Sequence, residues 1–190
     1  MNDVSELLLA RQSEPRLAEP GPDAGTLQRL IRCALTAPDH ALLRPSRFLV
    51  IEGEQRVQLG CTWREIVARE NPDMSAEQLE RASRLPLRAP MLIAGISAHR
   101  DHPKVPAIEQ SLSTGVALGY LLLALQAEGF GGMWRTGDMA YHPEMHRALG
   151  LAENEQVLGF LYVGTPQSRK ESAPRPDPEL HFSYWSGEPN

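Results

Sequence analysis

A helical run over residues 108–128, apolar on nearly every face from Val116 onward, is followed at once by Gly129-Phe-Gly-Gly-Met-Trp-Arg-Thr-Gly137. Such a helix has to lie deep in a core, because no side of it suits water. The nine residues after it bring four glycines, a tryptophan and an arginine together. Glycine lets a backbone approach a ligand closely and take a positive φ. Tryptophan offers a flat apolar face, and arginine a fixed fork of donors suited to phosphate. Two readings follow. One is a loop that cradles a flat, phosphate-bearing ligand. The other is a helix C-cap at Gly129 and a tight turn, with Trp134 as core.

The chain has 190 residues and reads as one domain over 1–190. The hydrophobic share is 42% and the net charge −5, which argues against general nucleic-acid binding. The longest unbroken apolar run, Val116–Leu125, is too short to cross a bilayer. The N-terminus lacks the basic region of a signal peptide, so a cytoplasmic location is expected. Cys33 and Cys61 show no metal-ligand spacing and read as reduced, buried thiols.

Apolar periodicity predicts helices over 3–12, with Asp3 or Ser5 as N-cap, and over 23–37, stopped by Pro38. Further helices are predicted over 54–69, 75–85, 108–128 and 143–149, and strands over 47–52, 91–96 and 157–163. After Gly164-Thr-Pro166 the chain becomes proline-rich and ends near Phe182, Tyr184 and Trp185. Exposed aromatics on an extended tail are a liability for a monomer. The tail either lies on another subunit or folds back on its own domain.

Several familiar motifs fail. The glycine cluster follows a helix and lacks a third glycine, so it is not a dinucleotide fingerprint. Gly132-x4-Gly137 has Walker spacing without the lysine. His142-Pro-Glu-Met-His146 puts proline where a zincin needs its general base, so no metal is expected.

Three separated pieces combine: Arg11-Gln-Ser13, Ala37-Pro-Asp-His40 and Gly131-Gly-Met-Trp-Arg-Thr-Gly137. Their order and spacing resemble the nitroreductase family of flavoproteins, in particular its small YdjA-type branch. Phe48-Leu-Val-Ile-Glu-Gly53, Arg88-Ala-Pro90, Lys104-Val-Pro106 and Gly159-Phe-Leu-Tyr-Val-Gly-Thr-Pro166 extend the likeness over nearly the whole chain. The resemblance implies an α+β fold with a mixed central sheet surrounded by helices. It implies a homodimer with FMN at the interface and a C-terminal tail that wraps the partner. It implies hydride transfer from NADH or NADPH through FMN to nitroaromatic or quinone-like acceptors, in a two-step ping-pong sequence with the chemistry on FMN and no catalytic side chain.

The same resemblance assigns the cofactor site. Arg11 is directed at the FMN phosphate, with Gln12 and Ser13 adding neutral hydrogen bonds. His40 approaches the flavin from the other subunit. Trp134 and Thr136 shape the cradle, and Arg135 adds positive charge at the phosphate or ribityl end. Thr36 is carried over as a site position although the branch has arginine there. Gln12 replaces the second arginine of the branch's N-terminal pair, and Arg44-Pro-Ser46 stands where many members have Gln-Pro-Trp. Those departures motivate an alternative reading, a low-turnover FMN carrier or redox-responsive protein.

Overall fold

The chain runs α1 (Val4–Ala10), β1 (Leu17–Ala18), α2 (Ala24–Ala34), β2 (Ser46–Glu52), α3 (Glu54–Glu70), α4 (Ala76–Ser83), β3 (Met91–Ala98), α5 (Ala107–Ala127), β4 (Gly131–Arg135), α6 (Pro143–Ala148) and β5 (Glu155–Pro166). These elements come from a computed structural model that describes residues 4–168 and 174–187. The helix start Asp3 and residues 169–173 of the tail lie outside that description.

Period-2 alternation sorts the sheet's side chains into two cores. Leu92, Ala94, Ile96, Phe160 and Tyr162 face Trp63 and Ile66 of α3 and Met145 of α6. Met91, Ile93, Leu161 and Val163 face Leu30 and Ala34 of α2 and Leu118, Leu121 and Leu125 of α5. The result is three layers, helices on both faces of one sheet. β3 and β4 flank β5 on opposite edges, since both pair with residues 160–163, and β2 lies beyond β3. Every strand pair among the described residues is antiparallel, including β1 on the end of β5, so the mixed sheet is corrected to an antiparallel one within this chain.

Local signals set most boundaries. Ser75 and Gln78 form a reciprocal capping box at α4. α2 ends at Ala34, earlier than the read 37, because the turn before Pro38 tightens and Thr36 donates its hydroxyl to the Cys33 carbonyl at 2.7 Å. Cys33 and Cys61 are both exposed, which corrects the buried reading. Each sits on the outward face of its amphipathic helix, and an unpaired thiol in a helix has no need to be internal.

β5 carries a bulge. Gly95 pairs with Gly159 but Ile96 pairs with Val157, leaving Leu158 as an extra residue. The Leu158 carbonyl accepts the Trp134 indole N–H at 3.2 Å.

At the start of β5, Glu155 accepts two bonds from the Arg47 guanidinium, at 2.7 and 2.8 Å. That hydrogen bonding holds the Glu155 carboxyl below its ordinary range. A depressed carboxylate contributes stability above its unfolded value of about 4.3 and loses it as pH falls through the folded value. Glu155→Gln is expected to lower stability at pH 7 by about 1 kcal/mol, since Arg47 is partly solvated. Thermal melts should show the gap between wild type and variant closing as pH falls below about 4.

Candidate cofactor site

α5 ends in a hydrogen-bonded reversal. Gly129 has φ +86°, its N–H bonds the Gln126 carbonyl at 3.1 Å, and the Phe130 N–H bonds Leu125 at 2.9 Å. This is a Schellman cap, and it aims the chain straight into β4. The segment read as a ligand loop is therefore a cap followed by a strand. The glycines of β4 are explained by packing. A Cβ at Gly132 would collide with Leu122, and one at Gly131 would press on Leu17 and Pro166.

Strand geometry then separates two expected neighbours. Trp134 points toward α5, where its ring lies over Gly115. Arg135 points to the opposite face, with its guanidinium 5.7 Å from the Tyr162 ring centroid. Burial raises the Tyr162 hydroxyl above its ordinary pKa, and Arg135 and Arg88 oppose that rise. Thr136 lies exposed just past the strand.

The N-terminal piece does reach β4. The Glu14 N–H bonds the Gly132 carbonyl at 3.1 Å. Here α1, the end of α5 and β4 enclose a cleft of about 690 Å³, lined among others by Ala10, Gln12, Leu122, Gln126, Gly131 and Gly132. Its size is in the range of small-molecule and cofactor sites. Arg11 and Ser13 flank Gln12 but are not part of that wall. The Arg11 side chain is half-buried and makes no ion pair among the described residues. Glu6 and Glu14 also line the cleft, so an anionic group there would need a cation from outside that wall, such as Arg11.

Thr36 and His40 belong elsewhere. His40 Nδ1 lies 2.8 Å from Glu109 Oε2, in the first turn of α5. Gln126 in the last turn lines the cleft. At 1.5 Å per residue the two ends of α5 are about 25 Å apart. Within one chain, His40 and Gln12 therefore do not meet.

Sequence reading missed two features at the His40 end. The Asp39 carboxylate accepts the backbone N–H groups of Leu43 at 3.0 Å and Arg44 at 2.8 Å. It thereby holds three non-glycine residues, Ala41, Leu42 and Arg44, at φ between 54° and 60°. Such a backbone costs about 1–2 kcal/mol per residue, and strain of this kind concentrates at ligand-binding segments. The Pro-Asp-His motif contained the signal for Asp39. Nothing in the sequence singled out Glu109.

Between the two ends, α5 presents Ile108, Leu112, Val116 and Tyr120, at 63, 62, 39 and 38% exposure. Their four-residue spacing makes one apolar stripe. The helix is thus not buried on every side within the chain, as its composition suggested. Phe182, Tyr184 and Trp185 of the tail are exposed as well, and Arg175 ties the tail to the carbonyls of Leu9 and Arg11.

The histidines of the failed zincin motif have structural duties. His142 Nδ1 caps α6 by accepting the Glu144 N–H, and its Nε2 meets Glu70 at 2.8 Å. His146 Nε2 donates to the Ala140 carbonyl. Among the described residues the cleft is lined by the carboxylates of Glu6 and Glu14, the amides of Gln12 and Gln126, the Thr165 hydroxyl, backbone and apolar side chains.

Residues 15–165 match the model of the nitroreductase family. The chain belongs to that family. It is 37% identical over 184 residues to the Escherichia coli K12 protein named Putative NAD(P)H nitroreductase YdjA, covering 96% of this chain and all of that one. A Haemophilus influenzae protein named Putative NAD(P)H nitroreductase is 36% identical, covering 89% of this chain and 91% of its own. Among solved structures, a nitroreductase-like family protein from Bacillus cereus superposes with a TM-score of 0.83 at 20% identity, over 98% of both chains. The FMN and NADPH-dependent nitroreductase NfnB of a Sphigopyxis species superposes at 0.74 with 17% identity, over 97% of this chain and 99% of that one. These likenesses establish the nitroreductase-like α+β fold.

Proposed function

We propose that this nitroreductase-family protein is an FMN-dependent oxidoreductase. It transfers hydride from NADH or NADPH to nitroaromatic or quinone-like acceptors, as a cytoplasmic homodimer. The observation that carries the reading is the cleft of about 690 Å³ between Gln12 and the backbone of Gly131 and Gly132. An FMN-sized group fits that volume. Gly131 and Gly132 of β4 bring their backbone to it, and Arg11 stands beside it without an ion pair among the described residues.

When bound, FMN would supply the two-electron redox chemistry between the nicotinamide donor and the acceptor. The chain's residues bind and orient. The Arg11 guanidinium suits a phosphate, which it can grip with two parallel bonds. Gln12 and Ser13 add neutral polar contacts. Trp134, pinned by the Leu158 carbonyl, and Thr136 lie further along and past β4, outside the cleft's lining, where they would flank the flavin rather than wall the cleft. Arg135 serves only from the opposite face of β4, so the phosphate charge falls chiefly to Arg11.

His40 reaches the cofactor from a second copy, and Thr36 comes with it without replacing the charge of the branch's arginine. Two chains crossing at the exposed α5 stripe bring the His40 end of one to the cleft of the other, and the tail's aromatics find cover on the partner. The carrier reading retains a specific support. The Thr36 hydroxyl is bonded to Cys33 and that of Ser46 to Thr114 at 3.2 Å, so neither stands in for a lost charged or aromatic contact.

The visible spectrum of the purified protein with FMN, followed by anaerobic NADH or NADPH, separates these readings. Flavin bands that bleach and then recover with menadione or nitrofurazone are expected, and they also name the donor. Bands that persist favour the carrier. No bound flavin at excess FMN overturns the proposal.

A further inference from the structure

The segment 39–44 is more elaborately held than an exposed loop requires. The side chain of His40 is 57% exposed, yet it is restrained from two directions. Its backbone precedes three left-handed residues that the Asp39 carboxylate, only 9% exposed, holds in place through the N–H groups of Leu43 and Arg44. Its ring is tied through Nδ1 to Glu109 at 2.8 Å. An ionised carboxylate can only accept, so Nδ1 carries the hydrogen and Nε2 of the neutral ring is left as an acceptor. Free imidazoles in water favour the other tautomer.

We propose that Asp39 and Glu109 are the positioning residues of His40. Together they present its Nε2 lone pair to an N–H or O–H donor of the cofactor in the partner's cleft. Asp39 fixes where the ring stands, and Glu109 fixes its tautomer and rotation. Neither residue touches the cofactor. The inference rests on the dimeric FMN reading above.

The test uses the full-length protein at pH 8, above the ordinary histidine value of about 6.5. Long-range 1H–15N correlation spectra report the His40 tautomer, flavin fluorescence quenching reports FMN affinity, and sedimentation reports the dimer. Wild type is expected to show His40 protonated at Nδ1. Glu109→Ala should move the proton to Nε2 and weaken FMN binding roughly tenfold, with dimer and melting temperature unchanged. Glu109→Gln, whose amide oxygen still accepts from Nδ1, should restore most of both. Asp39→Asn keeps one acceptor and folds, and it should also weaken FMN binding. Wild-type His40 protonated at Nε2, or Glu109→Ala with wild-type affinity, overturns the role of Glu109. Wild-type affinity in Asp39→Asn overturns that of Asp39. Wild type that is monomeric or binds no FMN sinks the functional reading instead, and the wild-type tautomer still decides the Glu109–His40 pair.

Discussion

Gly159→Ala is expected to cost about 3 kcal/mol of stability. Gly159 has φ +149°, a region that residues with a Cβ rarely adopt. An added Cβ would drive into the Trp134 indole, 2.7 Å from Cδ1, and would lie 2.9 Å from the Arg135 carbonyl oxygen. The backbone oxygen cannot step aside without loosening the β4–β5 ladder. The indole cannot step aside without losing its bond to Leu158. Urea denaturation reads the loss. Trp134→Ala in the same chain removes half of the collision, so the double variant should lose less than the sum of the singles. A Gly159→Ala protein as stable as wild type would mean that the bulge is not built around the tryptophan.

The second large effect is expected at Leu112, near the middle of the α5 stripe. Leu112→Glu should weaken the dimer by roughly a hundredfold or more, because a carboxylate in the centre of an apolar interface has no partner. The monomer should stay folded, since Leu112 is 62% exposed within the chain. On the proposed dimeric reading bound FMN should fall in step, because His40 of each site would depart with the partner. Sedimentation velocity with absorbance at the flavin band follows both quantities in one run. A variant that remains dimeric and yellow places the subunit contact elsewhere.

Much of the fold was legible in the residues. β3 follows Pro90 as a continuous apolar run, Ser75 caps its helix as its side chain suggests, and β5 was read over 157–163 but runs from Glu155 through Pro166, past the Gly164-Thr-Pro166 expected to end it. β4 was not legible. A glycine pair contributes no alternation of side chains, so period 2 is invisible until Met133 and Trp134. The reason for those glycines lies in Leu122 and Leu17, which are distant in sequence. The exposed side of α5 was hidden for a related reason. Ile108, Leu112, Val116 and Tyr120 are as apolar as the residues packed inside, and composition alone does not distinguish a buried face from an exposed one.

The candidate site divides in the same way. Its pieces were recognisable, but their placement was not. Gln12 meets the glycines of β4 through the Glu14–Gly132 bond, while His40 is held at the far end of α5 by a residue no motif contains. Trp134 and Arg135 are adjacent in sequence and on opposite faces in the fold, which follows once the segment is a strand and not a loop.

The three tryptophans sit in three unlike surroundings. Trp63 is buried against Phe160, Trp134 stands between α5 and the cleft strand, and Trp185 is 88% exposed on the tail. Indole emission shifts to shorter wavelength as its surroundings dry. One fluorescence spectrum therefore carries a blue component from the core, an intermediate one from beside the cleft and a red one from the tail. Single Trp→Phe variants would assign the components. The tail's component should shift blue when a second chain covers it, giving this protein an intrinsic optical record of assembly that needs no label.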